Sequence, residues 1–296
     1  SPSGDFVYAG RFSASFTTGV GEFAFDRGTG QLSFNGLVSS RGPQRLAIDP
    51  TGRFLYVREA TLLSGFLIGN DGSLTPNPSF TTFDSGANGS TQPIFNTVGD
   101  RMYLPDPGGD SIAVLTVNTS DGNLASFGPE VVAGSSPARS VLSRDGAFLY
   151  VSHNDGEVRS YSGAESGNLV QVDSVTAEPY PSDIVSRGAI GIHPTLPVLY
   201  LASTTRVVQT VPLTATGGLG PAGPPLPTGF GPQALLFDPS GRYAYIVCRG
   251  NSQVAPPAIS AYTVDPITGQ LTFVQDYEFP ELGFPSDGIM IPATAP

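Results

Sequence analysis

Apolar and polar positions alternate along most of this chain with a period of two, in short runs broken by Gly, Pro, Asp and Asn. No stretch keeps the 3.6-residue period of an amphipathic helix. The runs recur as a unit. GPQRLAIDPTGRFLYV (42–57) returns as GPQALLFDPSGRYAYI (231–246), identical at nine of sixteen positions without a gap. It returns again as SPARSVLSRDGAFLYV (136–151), identical to the first at seven. Weaker copies centre on DFVYAG (5–10), RMYL (101–104) and PVLYL (197–201). Tyr8, Tyr56, Tyr103, Tyr150, Tyr200 and Tyr245 anchor the copies at spacings of 48, 47, 47, 50 and 45 residues, which makes six repeats. A fixed period of this length marks an architecture in which each unit buries its apolar face against its neighbour.

Each repeat reads as four strands. An apolar run such as LAI (46–48) enters the turn Asp49-Pro50-Thr51-Gly52, where Pro pre-sets φ and Gly accepts the conformation that follows. The return strand carries the tyrosine, as in Phe54-Leu55-Tyr56-Val57. A variable loop leads to a third strand, SIAVLTV (111–117) or AISAYTV (258–264), then to a polar turn such as DRGTGQL (26–32) or DPITGQL (265–271). An outer strand such as TFVQDYEF (272–279) ends the unit. The expected fold is all-β, a six-bladed β-propeller of four-stranded antiparallel blades in one domain spanning 1–296. GIMIPA (288–293) reads as a first strand without its return strand, and DFVYAG as the reverse. Pairing of these C-terminal and N-terminal strands is expected to close the ring; between molecules the same pairing makes an open polymer.

Composition narrows the function classes. All 14 basic residues are Arg, against 25 acids, for a net charge of −11. That argues against nucleic acid and anionic membrane surfaces, both of which need basic patches. One cysteine, Cys248, excludes an intramolecular disulfide and a Cys-based zinc cluster, and two histidines, His153 and His193, exclude a His-rich metal site. No metal or cofactor is expected. No apolar run approaches the 18 residues of a membrane span. A first residue other than Met points to processing or trimming, and no signal peptide is visible. The low charge (13% of residues), the missing Lys and the abundant Gly suggest an exported, extracytoplasmic protein.

The blade signature, Gly-Pro-x-x-Leu-x-x-Asp-Pro-x-Gly-Arg-Phe-Leu-Tyr-Val at 42–57 with its copies at 136–151 and 231–246 and the turn ITGQL (267–271), resembles the lactonase-type β-propellers. That family includes propeller 6-phosphogluconolactonases and carboxymuconate-cyclising enzymes, and the resemblance covers nearly the whole chain. It implies a propeller fold and, in the family, chemistry on cyclic esters. The chain departs from the family pattern in two respects: it has six repeats where seven blades are typical, and it lacks the family's Arg-His pair after the first-strand Pro. The corresponding pairs here are Gln44-Arg45, Ala138-Arg139 and Gln233-Ala234.

In a propeller, the second-to-third-strand loops and the fourth-to-first-strand loops share one face. The first set supplies Arg11, Arg58 with Glu59, Asp106 with Asp110, His153 with Asn154, Arg206, and Arg249 with Asn251. The second supplies Arg45, Gln92, Arg139, Arg187, Gln233 and Asp287. Arginines around one mouth suit a carboxylate or phosphate through planar paired hydrogen bonds. Arg11, Arg45, Arg58, Arg206, Asn154, Asn251 and Gln233 are therefore candidate ligand-binding residues for a small anionic ligand. His193 and Cys248 read instead as a turn residue and a small core residue. Two functions compete. The favoured expectation is a non-catalytic module, displayed outside the cell, that binds a protein partner or self-associates. The alternative is a lactone hydrolase in which Arg139 and Arg249 polarise the carbonyl while His153 or Glu59 activates water.

Overall fold

The computed structural model describes residues 1, 4–11, 18–26, 28–29, 31–59, 62–84, 91–177, 188–203, 206–251 and 255–279. Among them there is no helix, and the strands form six antiparallel sheets. The first sheet contains β1 (Phe6–Arg11), β2 (Gly19–Asp26) and β3 (Gln31–Ser39). The second contains β4 (Arg45–Ile48), β5 (Phe54–Glu59) and β6 (Leu62–Ile68), with an outer position shared by β7 (Leu74–Pro76) and β8 (Phe83–Asp84). The third repeats that plan with β9 (Ile94–Phe95), β10 (Arg101–Asp106), β11 (Ser111–Val117), β12 (Leu124–Ser126) and β13 (Val131–Val132). The fourth is β14 (Pro137–Leu142), β15 (Phe148–His153), β16 (Glu157–Ser162) and β17 (Val170–Thr176). The fifth is β18 (Ala189–Ile192), β19 (Val198–Ser203), β20 (Val207–Pro212) and β21 (Leu226–Pro227). The sixth is β22 (Pro232–Phe237), β23 (Tyr243–Cys248), β24 (Ala258–Val264) and β25 (Leu271–Glu278).

The fold class is all-β, with six blades of β-propeller type, each wound as a simple antiparallel meander. The first blade has three described strands; the 288–293 strand expected to complete it lies outside the described residues, as do Arg187 and Asp287. The chain gathers into two compact units. One spans Ser1–Gly134 with the turn Glu165–Gly167 and holds the first three sheets; the other spans Ser135–Ala164 and the described chain from Asn168 onward and holds the last three.

Alternation within the strands is what makes the blades stack. In the first unit, Val20, Leu55, Val57, Phe66 and Leu74 form one apolar layer, and Tyr56, Leu63, Phe95, Met102 and Leu115 form the next. In the second unit, Tyr150, Val158, Ile190, Leu199 and Val211 form one layer, and Tyr200, Val208, Leu235, Ile246 and Tyr262 another. The repeat tyrosines staple successive sheets inside each unit. Tyr8 and Tyr56 donate their hydroxyls to the carbonyls of Gly72 and Gly122 at 3.0 and 2.8 Å. Tyr200 donates to Gly269 at 2.7 Å. Burial pushes the hydroxyls of Tyr8 and Tyr150 up to about 12, so all remain donors at neutral pH. The turn glycine is required where the sheets meet: Gly217 has φ +81°, and a Cβ there would lie 2.2 Å from the Phe148 ring.

The first-to-second-strand turns are closed by their own side chains. Asp49 accepts from the backbone of Thr51 at 3.0 Å and of Phe54 at 2.7 Å. Asp238 repeats this with Ser240 and Tyr243 at 3.1 and 2.7 Å. In the fifth sheet His193 takes that place. Its Nδ1 accepts from the backbone of Thr195 and Leu196 at 3.0 and 2.9 Å, which leaves Nε2 as the protonated nitrogen, donating to the Gly241 carbonyl at 2.9 Å.

Candidate active site

Every second strand ends three residues after its tyrosine: at Arg11, Glu59, Asp106, His153, Ser203 and Cys248. One scaffold position thus carries six different side chains, and its use can be compared within each unit.

In the first unit, Arg11 ends β1 with its backbone opposite Gly19. Glu59 is buried, and both its carboxylate oxygens are engaged. Oε1 accepts from the Ser40 hydroxyl and from the Arg41 backbone at 2.8 Å, and Oε2 accepts from the Ser64 hydroxyl at 3.2 Å. Beside it, Arg45 and Arg58 face each other across β4 and β5, and Arg58 is fully buried. Arg45 donates to the Gln44 carbonyl at 3.2 Å. Asp106 caps its own turn, accepting from the Gly108 backbone at 2.9 Å.

In the second unit, His153 is 1% exposed. Its Nδ1 lies 2.9 Å from the carbonyl of Ser135, and because a carbonyl only accepts, Nδ1 carries the proton. Nε2 is then a lone-pair nitrogen, buried and without a hydrogen-bond partner among the described residues. Burial is the largest influence on the ring and holds its pKa below the usual 6.5. Arg159 pushes the same way, while the Ser135 contact, Asp155 and Glu157 oppose it. The neutral imidazole, with its base outward from Ser135, is the form present at neutral pH.

The His153 ring lines a cleft between the fourth and fifth sheets, together with Ser152, Glu157, Leu201, Ser203 and Gln209. It encloses about 240 Å³, its solvent-open mouth included. That is below the roughly 300–1,000 Å³ of sites for drug-sized ligands, and the cleft has room for about one water molecule. Glu157 is ionised, held low by Arg159, to which it is bonded at 2.7 and 2.9 Å. Asn154 donates to the Ser136 hydroxyl at 2.7 Å.

The remaining candidates of this unit lie at the same end of its sheets. Arg139 is buried in β14 opposite Ser152, just past a bulge that displaces Ala138. Arg206 is exposed in the β19–β20 connection with φ 69°, its backbone bonded to Ser203 and Thr228. Arg249 is exposed directly after β23, and Asn251 forms an isolated bridge with Ala255. Gln233 donates to the carbonyls of Gly231 and Pro232 at 3.1 and 3.2 Å, at a bulge matching the one beside Arg139. Cys248 is buried against the Thr228 and Ser260 hydroxyls at 3.6 and 3.7 Å, and burial pushes its thiol up. Glu157, Ser203 and Gln209 escaped sequence reasoning. The tyrosine register was a signal for Ser203, which stands three residues after Tyr200 as His153 does after Tyr150.

The fold is that of a β-propeller, and its blade signature is similar to that of the lactonase-type propellers. No family model matches the chain. A curated relative, the 6-phosphogluconolactonase of Formosa agariphila, is 26% identical, with 86% of this chain and 78% of the relative aligned. The solved structure of a Bacteroides uniformis protein, provisionally described as a 6-phosphogluconolactonase, superposes with a TM-score of 0.79 at 24% identity, covering 93% of this chain and 83% of that one. The Pseudomonas aeruginosa periplasmic gluconolactonase PpgL does so with a TM-score of 0.77 at 20% identity, covering 95% and 83%. The resemblance to lactonase-type propellers stands. The expectation of a non-catalytic binding or assembly module is corrected: the curated relative and both of these solved structures carry lactonase names, and no observation supports a structural module. No helix among the described residues is long and apolar enough to cross a membrane.

Proposed function

We propose that the protein hydrolyses lactones, with His153 as general base. The observation that carries this reading is the buried neutral imidazole whose Nε2 lacks a hydrogen-bond partner in a cleft with room for a water. The lactonase name of the curated relative supports the substrate class. A general base needs a pKa at or below the working pH and a lone pair within reach of the proton it takes.

In the step proposed, Nε2 accepts a proton from water as the water oxygen attacks the lactone carbonyl carbon. The carbonyl π electrons move to the oxygen, giving a tetrahedral oxyanion. The oxyanion re-forms the carbonyl as the ring C–O bond breaks, and the imidazolium returns its proton to the departing ring oxygen. The product is a hydroxy acid, ionised at neutral pH. Arg206 and Arg249, exposed at the same end of the unit, are the cations that would receive the oxyanion and the product carboxylate. Glu59, with each carboxylate oxygen already accepting, is left to structure.

The test is a panel of sugar lactones, with and without a 6-phosphate, followed by pH-stat over the spontaneous rate. Saturable acid release lost in His153→Gln supports the reading; a rate no greater than background on every lactone overturns it. We also infer an extracytoplasmic location, supported by the absence of Lys and by the periplasmic gluconolactonase among the structural relatives. Fractionation of the native host tests it.

A further inference from the structure

The His153 tautomer is held by a strained corner of the chain. Ser136 has φ 50°, the left-handed region that side-chain-bearing residues seldom adopt. In the two sister repeats the residue before the same proline is glycine, Gly42 with φ 105° and Gly231 with φ 65°. Serine therefore stands where the backbone favours glycine in both other clear copies, and it does so only in the blade that carries His153. Asn154, the residue next to His153, grips this serine twice. Its Nδ2 donates to Ser136 Oγ at 2.7 Å, and its backbone N–H donates to the Ser136 carbonyl at 3.1 Å. The preceding carbonyl, that of Ser135, is the one that receives His153 Nδ1–H at 2.9 Å.

We propose that Asn154 is a positioning residue: by pinning Ser136 in the left-handed conformation it aims the Ser135 carbonyl at Nδ1 and so fixes His153 in the tautomer that presents Nε2 to the cleft. This rests on the role of His153 proposed above, but the geometry is testable without any substrate. Asn154, expected from sequence to touch a ligand, acts here through its neighbour. The charged groups around the ring are Asp155, Glu157 and Arg159 on its own sheet; from the fifth sheet Ser203 and Gln209 line the same cleft, and neither titrates.

With only two histidines in the chain, long-range ¹H–¹⁵N correlation spectra read both imidazoles separately. The native protein is expected to show His153 protonated on Nδ1 and His193 on Nε2. In Asn154→Ala the His153 signals should move to a mixture of tautomers while His193, which also reports that the fold is intact, stays unchanged. The pH profile of hydrolysis should shift with them, and kcat should fall about tenfold or more with KM nearly constant, because a wrong tautomer withholds the base. The double variant Ser136→Gly with Asn154→Ala should restore the native spectrum, since glycine adopts this φ without a pin. His153 protonated on Nε2 in the native protein, or an unchanged His153 spectrum in Asn154→Ala, overturns the proposal. The native spectrum with the expected response to both variants, but no lactone hydrolysis, would sink the function assigned to His153 and leave the positioning intact.

Discussion

Glu59 and His153 occupy the same place in their repeats, the last residue of a second strand, three after the tyrosine, and both are buried. They differ in what their polar atoms do. The Glu59 carboxylate accepts from two hydroxyls and a backbone N–H drawn from the β3–β4 loop and from β6, so it ties the blade's end together. His153 spends one nitrogen on the chain and leaves the other without a partner among the described residues, in a ring that lines a cleft. Buried polar groups are nearly always satisfied, so a saturated one belongs to the architecture and an incomplete one is a candidate for chemistry. Cys248, the same position in the sixth sheet, is a third outcome: a thiol between two hydroxyls with its reactivity damped by burial.

The comparison breaks most sharply at His153 itself. His153→Gln should lower kcat/KM by about 100-fold or more, the usual share of a general base, and change stability by about 1 kcal/mol or less. Steady-state kinetics beside a urea melt would show it, and an active His153→Gln enzyme would remove the contrast. Glu59→Ala should do the reverse. Three donors lose their acceptor, so unfolding should become easier by about 3 kcal/mol, while the activity per folded molecule stays within about twofold.

The pH dependence separates the two groups next. His153 has its folded pKa lowered, so between that value and the unfolded value near 6.5 the unfolded chain binds more protons than the folded one. Its contribution to stability is therefore present above about 6.5 and is lost as pH falls through that window. The rate should fall only at the lower edge of that window, where the folded imidazole is itself protonated. Urea melts from pH 7.5 to 5 should show a stability loss that His153→Gln reduces and Glu59→Ala does not. The smallest effect is expected at Cys248. Cys248→Ala should cost about 1 kcal/mol and leave kinetics unchanged, and the native thiol should resist alkylation until the protein unfolds, as mass spectrometry of iodoacetamide-treated samples would report.

Much of the architecture was legible in the chain. Strands β11 and β24 fall on the SIAVLTV and AISAYTV runs residue for residue, and the Asp49 and Asp238 turns close as their side chains dictate. The tyrosine spacing placed six second strands, and the hydroxyl staples explain why tyrosine, rather than phenylalanine, recurs there. His153 was recognisable as a candidate because a histidine at a strand end is chemically conspicuous. Its distinction from Glu59 was not recognisable. That depends on donors from Ser40, Arg41 and Ser64 in one case and on the accepting carbonyl of Ser135 in the other, partners that only the folded chain brings together. Nor could the pattern reveal that Ser136 stands in a left-handed conformation, or that Ser203 and Gln209 of the next sheet meet His153 across a cleft.

Local patterning thus settled the class of fold, the number of blades and the ends at which polar side chains collect. Strand alternation and turn chemistry are short-range properties written into neighbouring residues. The assignment of roles among those side chains belonged to the folded molecule. A hydrogen bond is decided by angles and tenths of an ångström between groups that meet only once the sheets have packed, and that is what separates the saturated carboxylate of Glu59 from the unpartnered nitrogen of His153.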